Sequence, residues 1–471
     1  MRFRIEKDDL GERRVPAEAY YGIQTLRSKE NFQISKRPIS RQMIKGLATV
    51  KKAAAKANFD AGFIKKDVSD AISLACDEIL NGRLHGQFIT DLVQGGGGTS
   101  MNMNANEVIA NRANEMLGSE KGKYDLVHPI NHVNFSQSAN DVVPTAGKIA
   151  TVRLTKKLLV EMKKLANAYY DKANKYKNVL TVSKTHLLDS VPITFGQIFN
   201  ALGSSVERDM KKIEFALSSL LEVNLGGTVI GTGLNADLTY SKKIIKYIVQ
   251  FTGEDFYQAK NLIDNSRHLD AFVWLSSAVK AFALNVQKSA NDFRLMETLI
   301  KSISVPSVQP GSTINPGKNN PVILEMVNQV VFYMEGNDLT ISRAVGAGEL
   351  EFNINLPIIL ACLFENLNFI RRAIRTLREK AIEGLEVFEA KKEIIQSSAM
   401  ITAFLPTLGY DLCQEVVSVA TKNKKSIIEV IKELNILTEE QISSLFNDTN
   451  ITSPGIIGEV KKEKAKTKKE E

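Results

Sequence analysis

The sequence contains few residues that could bind metals or form covalent cross-links. Its 471 residues include three cysteines and five histidines. Cys76, Cys362 and Cys413 lie far apart and are odd in number, which excludes a disulfide framework and a four-thiolate zinc site. His128 and His132 are spaced like a helical metal pair, but the proline that follows His128 argues against a continuous helix there. We therefore expect no metal site and a reducing compartment.

Long apolar runs are also missing. The most apolar stretches, such as residues 357–364, fall well short of the roughly 20 residues that a membrane-spanning helix needs. The N-terminal segment MRFRIEKDDLGERR is charged throughout and lacks the apolar core of a secretory signal. These features predict no membrane segment and a cytoplasmic protein.

The charge balance is only mildly basic. The net charge is +8, and the final segment, Lys461–Glu471, carries six lysines and three glutamates, which leaves +5 on the rest. No basic stripe alternates with aromatic residues, so we expect no nucleic-acid partner. A mildly basic surface suits small dianionic substrates. The composition of the final segment predicts a charged, disordered tail.

Apolar residues recur at helical spacing over unusually long stretches. The pattern covers residues 151–176, 269–296, 322–345 and 357–382. Helices of this length that are apolar around much of their circumference must be covered by other helices, as in a bundle. The sequence therefore predicts an all-α fold built on long packed helices.

Segments rich in glycine and proline, together with changes in the apolar pattern, divide the chain into domains. We predict an N-terminal domain over residues 1–142, a central helical bundle over 143–391, a small C-terminal helical domain over 392–460 and the tail over 461–471. Strand signals are limited to Val179–Val182 and Gly227–Ile230, which are short and β-branched. An α/β sheet is therefore not expected.

A glycine-rich segment, QGGGGTSMNMN at residues 94–104, precedes a helical pattern that starts near Ala105. Four glycines ahead of Thr99 and Ser100 allow backbone N–H groups to approach an anion at a helix N-terminus. The segment lacks the lysine of a nucleotide-binding P-loop. It predicts either a cradle for a carboxylate or phosphate, or a flexible connector.

The segment NFSQSAND, residues 134–141, is a dense run of short polar side chains ahead of a proline. Ser138 and Asn140 could hold a carboxylate or an amine. The alternative is a capping turn for the next helix.

The segment SKTHLLD, residues 183–189, places Thr185 and His186 between an extended stretch and an amphipathic helix. A lone histidine is more often structural than functional, so both interpretations stay open on this segment alone.

The segment QPGSTINPGKNNP, residues 309–321, combines two glycines, three prolines, two hydroxyls and one lysine, with Glu325 beyond it. Such a loop is mobile yet restricted in conformation, which suits a lid that carries reactive groups onto a bound ligand. A plain surface loop is the alternative.

Taken together, these four segments resemble those of the aspartase and class II fumarase superfamily, in the same order and at matching spacing. The family signature GSSxxPxKxN appears as GSTINPGKNN at residues 311–320. The similarity runs from Arg4 to about Gly458 and includes YYGIQTLR and EVNLGGTVIGTGLN. It implies a fold in which long helices form a 20-helix core in a homotetramer, flanked by smaller helical domains.

The resemblance implies a cofactor-free β-elimination that yields fumarate, in sites that combine residues of three subunits. Removing a proton beside a carboxylate places a second negative charge on that group, which the site must bind. The catalytic residues implied are Ser312 as the base and His186, with Glu325 orienting the histidine. The implied substrate-binding residues are Thr99, Ser100, Ser138, Asn140, Thr185, Lys318 and Asn320.

The family contains both ammonia-lyases and hydratases. Ser100 after Thr99 follows the aspartase pattern, where fumarases have glutamine, so the sequence favours elimination of ammonia from L-aspartate. A class II fumarate hydratase and a lyase for a related amino dicarboxylate are the alternatives. A non-catalytic oligomeric scaffold is a more remote one, because it would not need the full set of polar residues.

Several positions depart from the family pattern. Ala139 stands where the family has serine or threonine, which removes a hydrogen-bond donor or makes room for a substituent. The segment 297–308 is shorter than in the family and lacks its SGPRAG-like sequence. Asn315 replaces the usual apolar residue of the signature loop. Ile198 and Leu356 each stand where the family usually has glutamate. The substrate is therefore less constrained by the sequence than the reaction.

Overall fold

The computed structural model describes residues 2–390, 394, 397, 400–445 and 450–457, and most of them are helical. The tail predicted over residues 461–471 lies outside the described residues. The described chain divides into two compact units, of which the first contains residues up to 162, 208–285 and 328–373. The second contains the remaining described residues. The predicted three-domain division stays a prediction.

Five long helices dominate the fold and confirm the all-α prediction. They are α5 (Ala139–Lys175), α6 (Phe195–Ser218), α9 (Asp270–Leu295), α10 (Val322–Gly346) and α11 (Leu356–Leu377). Each contributes residues to both units. The bounds of α5, α9, α10 and α11 match the four predicted stripes closely, except that α5 begins well before residue 151 and that residues 378–382 form a separate π-helical turn. For α6 the sequence predicts no such stripe, only an amphipathic helix after residue 189.

The early start of α5 has a local explanation. Ser138 Oγ accepts a hydrogen bond from Asn140 N at 3.2 Å, and Asp141 Oδ1 accepts one from Ser138 N at 2.9 Å, which together cap the start of the helix. Pro144 lacks the N–H that would donate to the Asn140 carbonyl. Asn224 Nδ2 donates to that carbonyl instead, at 3.0 Å, so the helix continues through the proline.

The first unit surrounds its part of these helices with shorter elements. Helix α2 packs against α3 and α7, and α4 packs against α1 and α3. Alanine, valine and leucine side chains of α2, such as Leu47 and Ala54, are fully buried there. The bounds are β1 (Phe3–Asp8), β2 (Gly11–Pro16), α1 (Ile23–Asn31), α2 (Arg41–Asp60), α3 (Lys66–Leu80), α4 (Thr99–Met116), β5 (Glu222–Val223), α7 (Leu238–Thr252), β6 (Tyr257–Gln258) and α8 (Leu262–Arg267).

The strand predicted at Gly227–Ile230 is wrong. The chain turns there, because Gly226, Thr228 and Gly231 all adopt positive φ, at 94°, 57° and 92°. A Cβ on Gly231 would lie 2.4 Å from the backbone of Leu262, so only glycine fits that approach. The β-branched residues of the segment face outward in part, with Val229 exposed.

The second unit contains a hairpin, a second short pair of strands and the C-terminal helices. Strands β3 (Leu180–Thr185) and β4 (Leu188–Thr194) pair antiparallel, which confirms the strand signal near residue 180. Strand β7 (Ile303–Ser304) pairs with β8 (Glu386–Val387). Four short helices follow in the described part of residues 400–457, and they enclose a small apolar core: Ile401–Leu408, Tyr410–Asn423, Ile427–Glu433 and Glu439–Leu445.

None of the helices in the described residues combines the length and the apolar character needed to cross a membrane.

Candidate active site

The glycine-rich segment forms a tight turn at the N-terminus of α4. Gly96, Gly97 and Gly98 have φ of 81°, 63° and 102°, values that L side chains rarely adopt. Thr99 and Ser100 are the first residues of the helix, so their N–H groups lie at its positive end. The segment is therefore a glycine turn leading into a helix that begins at Thr99 rather than near Ala105, and its use as an anion cradle stays a prediction.

The glycine turn lies against the start of α5. A Cβ on Gly98 would lie 2.7 Å from Val143 Cγ1, so the two segments are in close contact. The N-termini of α4 and α5 therefore lie beside each other, which brings Thr99 near the segment that carries Ser138 and Asn140. Two helix N-termini and several hydroxyls favour a negatively charged ligand.

Ser138 both caps α5 and keeps a donor for a ligand. Its Oγ accepts from Asn140 N, which confirms the capping interpretation of the segment. The hydroxyl hydrogen is not used in that bond, because a serine hydroxyl can accept and donate at the same time. The side chain of Asn140 is half-buried and donates from Nδ2 to Val229 O at 2.8 Å. Capping and ligand binding are thus compatible at this segment.

His186 lies at the tip of the β3–β4 hairpin. It forms a two-residue turn with Leu187 in which both residues have positive φ, 53° and 63°. Such turns favour glycine, asparagine and aspartate, and other residues there cost free energy. Thr185 and His186 are both exposed. A strained, exposed histidine at a rigid hairpin tip indicates a role outside the stability of the hairpin.

The signature loop folds back on itself in the second unit. Gly311 N donates to Lys318 O at 2.9 Å, and Asn320 Nδ2 donates to Gly311 O at 2.7 Å. A Cβ on Gly311 would lie 2.6 Å from Lys318 O, so a larger residue would open the loop. This closure brings Ser312, Lys318 and Asn320 into one short loop, with Lys318 exposed.

The hydroxyl oxygen of Ser312 is surrounded by donors. Ile314 N donates to Ser312 Oγ at 3.3 Å and Asn315 N donates to it at 2.9 Å. Hydrogen bonds to an oxygen stabilise its negatively charged form. The loop backbone therefore lowers the free energy of an alkoxide at Ser312, which a serine acting as a base requires.

Glu325 lies in the first turn of α10 and is half-buried. Among the described residues, no hydrogen bond joins Glu325 to His186. The first unit holds Thr99, Ser100, Ser138 and Asn140, and the second holds the other six predicted residues. The orienting role of Glu325 and the roles of all ten residues stay predictions.

The histidine pair near residue 130 is held by the backbone. His128 Nδ1 accepts from Ile130 N and Asn131 N, both at 3.1 Å, and His132 Nδ1 accepts from His128 N at 2.9 Å. Burial lowers the pKa of both imidazoles. Within the described ranges, no group of three or more His, Cys, Asp or Glu side chains could hold a metal ion.

Two buried charges beneath the Ser138 segment were not predicted from the sequence. Lys51 is fully buried and donates from Nζ to Asn134 Oδ1 at 2.7 Å and to Gln137 Oε1 at 3.0 Å. Asp141, also fully buried, accepts from Gly226 N and Thr228 N, both at 3.1 Å, besides Ser138 N. A signal was present, because Lys51 follows Leu47 by four residues on an otherwise apolar helix face.

The family comparison agrees with this arrangement. The profile of a lyase family matches residues 11–336, and that of the fumarase C C-terminus matches residues 400–453. Aspartate ammonia-lyase of Bacillus subtilis (strain 168) is 43% identical over 97% of this chain and 97% of its own. Aspartate ammonia-lyase of Escherichia coli (strain K12) is 40% identical over 96% of each.

Solved structures show the same fold. A fumarate lyase:delta crystallin from Brucella melitensis superposes with a TM-score of 0.93 at 38% identity, covering 96% of this chain and 100% of that one. A recombinant class II fumarase from Schistosoma mansoni gives a TM-score of 0.91 at 32% identity, covering 95% and 98%. The chain therefore belongs to the aspartase and class II fumarase superfamily of lyases.

Proposed function

We propose that the protein is an aspartate ammonia-lyase, which reversibly converts L-aspartate into fumarate and ammonium. The observation that carries the proposal is the pair of backbone N–H groups aimed at Ser312 Oγ, since they prepare this oxygen to take a proton. Curated relatives named aspartate ammonia-lyase, at 40–43% identity over nearly the whole chain, support the choice of substrate.

The reaction begins with transfer of a Cβ proton of aspartate to the oxygen of Ser312. The electron pair left behind moves into the neighbouring carboxylate, which becomes a dianionic aci-carboxylate. This pair then forms the carbon–carbon double bond while the bond from Cα to the protonated amine breaks and its electrons leave with the nitrogen as ammonia. Release of the proton held by Ser312 to solvent restores the base and balances the conversion of the ammonia to ammonium. The free-energy barrier depends on how well the site binds the dianion, so groups around that carboxylate contribute most to the rate.

The polar residues divide between the two ends of the substrate. Lys318 and Asn320, in the same loop as the base, bind the α-carboxylate, and Asn140 binds the amine. The β-carboxylate, where charge accumulates, receives hydrogen bonds from the Thr99–Ser100 helix start and from the side chains of Ser138, Thr185 and His186. Glu325 fixes the orientation of the histidine. His186 and Lys318 are exposed and accessible to a ligand, whereas the Thr99 hydroxyl donates to Gly96 O at 2.9 Å, so the helix start meets the carboxylate through backbone N–H groups.

We assign the protein to a homotetramer whose active sites combine residues of neighbouring copies. Large apolar side chains on the long helices support this assignment, because water contact with them is unfavourable. In the first unit, Phe215 is 67% exposed and stacks edge-on with Trp274, and Phe332 is 62% exposed. A reducing cytoplasm is the matching location, since Cys76, Cys362 and Cys413 are free thiols.

One departure favours a second candidate, a lyase for a related amino dicarboxylate. Ala139 occupies the first position of α5, between Ser138 and Asn140, and offers no hydroxyl. A substrate with a small substituent at C3 would gain space there. This candidate uses the same base and the same proton transfer.

The experiment is to incubate the purified protein with L-aspartate and to follow fumarate by its ultraviolet absorbance and ammonium in parallel. We expect both products in equal amounts. Fumarate hydration without ammonium release would assign the protein as a hydratase. A higher rate with a 3-substituted aspartate than with aspartate would assign the second candidate. No reaction with any of these substrates would contradict the proposal.

A further inference from the structure

The buried amine of Lys51 lies directly beneath the segment that carries Ser138 and Asn140. Helix α2 presents it to that segment without solvent contact. A lysine in such a place is unfavourable unless its N–H groups are paired. Both of its partners, Asn134 and Gln137, belong to the NFSQSAND segment, and both offer amide oxygens. The lysine is therefore connected to the candidate binding segment and to no carboxylate directly.

The two amide oxygens fix how their side chains are oriented. With Oδ1 on the lysine, Asn134 directs its Nδ2 to Gln137 O at 3.2 Å. With Oε1 on the lysine, Gln137 directs its Nε2 to Val133 O and Phe135 O, both at 3.0 Å. The amine can only donate to these oxygens, so it decides which end of each amide faces the backbone. Lys51 thereby determines the conformation of the turn that precedes Ser138.

Further contacts converge on the same point. Asn134 Oδ1 also accepts from Asn102 and Asn106 of α4, each at 3.1 Å. Side chains of both α2 and α4 therefore donate to this one oxygen. Asn58, two turns after Lys51 on α2, donates to Phe135 O and accepts from Ser136 Oγ, each at 2.9 Å. Helix α2 thus holds the segment at two positions on one face, through Lys51 and through Asn58.

On the other side, Asp141 completes the support. It binds Ser138 N and the N–H groups of Gly226 and Thr228. Burial raises the pKa of Asp141 to about 6, while the backbone donors and the charge of Lys51 act in the opposite direction. The segment around Ser138 is therefore held by a buried amine, through the side chains of Asn134 and Gln137, and by a buried carboxyl, through backbone N–H groups.

We propose that Lys51 is a positioning residue for substrate binding, which acts through Asn134 and Gln137 to hold Ser138 and Asn140 in place. The assignment rests on the proposed function for the identity of the ligand, and on the hydrogen-bond network alone for the positioning. Lys51 does not contact the substrate. Its neighbour Lys52 bonds to Asp77 at 2.7 Å and provides a matched control on the same helix.

The first test compares Lys51→Met with Lys52→Met. We expect kcat/KM for L-aspartate to fall about tenfold or more in Lys51→Met, the size expected when hydrogen bonds to a charged ligand are weakened. Succinate, which has both carboxylates but cannot react, should bind more weakly by a similar factor. Lys52→Met should keep both values. A purely structural lysine would lower the melting temperature and leave succinate binding by the folded protein unchanged.

The second test measures hydrogen–deuterium exchange of the peptide that covers residues 134–142. Exchange should accelerate in Lys51→Met and not in Lys52→Met, because the turn before Ser138 loses the amine that orients Asn134 and Gln137. If Lys51→Met does not fold, Gln137→Leu removes one of the two acceptors at a half-buried position and should give the same results. Unchanged exchange and unchanged succinate binding in a folded variant would overturn the positioning role. Faster exchange in a protein whose wild type forms no fumarate would instead contradict only the proposed function.

Discussion

The backbone nitrogen of Asn315 lies 2.9 Å from the hydroxyl oxygen of Ser312 and donates a hydrogen bond to it. The bond arises within the signature loop, whose ends Gly311 and Lys318 are themselves bonded. The loop that carries the proposed base therefore also supplies two backbone donors to its hydroxyl oxygen. This explains how Asn315 can replace an apolar residue of the family, since its backbone rather than its side chain contacts Ser312.

Replacing the base is expected to remove activity and spare the fold. In Ser312→Ala, kcat should fall by about 10²–10⁴-fold, the usual contribution of a positioned proton acceptor. The KM should change little, because other residues hold the carboxylates. Fumarate formation measures the effect, and Ser307→Ala, at an exposed position shortly before the loop, is the control. A kcat close to that of the control would exclude Ser312 as the base.

Removing the imidazole should lower kcat without unfolding the hairpin. Asparagine tolerates the positive φ of position 186, so His186→Asn keeps the turn. We expect kcat to fall by about 10²–10³-fold, as for other donors to a developing anion. Leu187→Asn changes the adjacent turn residue and should retain activity. An equal loss in both variants would show that the turn, rather than the imidazole, matters.

Restoring the missing hydroxyl tests substrate choice. Ala139→Thr adds a donor next to Ser138 and should lower the KM for L-aspartate by about tenfold, the value of one hydrogen bond to a charged group. Ala139→Ser should give most of the same gain, since it adds the hydroxyl without the methyl group. A rise in KM for both variants, with a 3-substituted aspartate as the better substrate of the parent, would support the space-making role of Ala139.

The pH dependence of stability should report on Lys51. Burial lowers its pKa from 10.5 to about 7, partly opposed by Asp141 and Cys76. Between these values the unfolded chain holds a proton that the folded chain lacks, so this lysine's contribution to the unfolding free energy rises with pH. It is lost as the pH falls towards 7.

The measurement is the difference in unfolding free energy between wild type and Lys51→Met. It should grow from pH 7 towards pH 10, with a slope of up to about 1.4 kcal/mol per pH unit. Titrating groups that do not interact with Lys51 cancel in the difference, and Asp141, whose pKa is about 6, titrates mainly below this range. A difference that stays constant with pH would contradict a depressed pKa for Lys51.

The long helices could be predicted because apolar residues at helical spacing both indicate a helix and identify the face that is buried. The sequence leaves the start of α5 open, since NFSQSAND suits either a ligand-binding segment or a helix cap. The cap is local to residues 138–141, but the Asn224 contact that lets the helix continue through Pro144 is tertiary. The N-terminal hairpin β1–β2 was missed for a related reason. Its strands are mostly charged and exposed, so they lack a period-two apolar pattern.

The residues of the candidate site follow from the family resemblance and stay predictions, whereas the local geometry could not be predicted. The positive φ of His186 and the hydrogen bond from Asn315 N to Ser312 both depend on how a loop closes. Neither can be inferred from the amino-acid composition of the loop. The buried Lys51 had a local signal, but a lysine among apolar helix positions is more often at the edge of a stripe. Its partners lie more than 80 residues away in the sequence.

A crystal structure of the assembled protein with a trapped substrate analogue, such as succinate bound with the signature loop closed, tests the central claim most directly. We expect Ser312 Oγ within about 3–3.5 Å of the methylene carbon that loses its proton, as a near-attack geometry requires. Lys318 and Asn320 should contact one carboxylate, and Ser138 and His186 the other. A closed loop that leaves Ser312 remote from that carbon would contradict a serine base and the mechanism built on it.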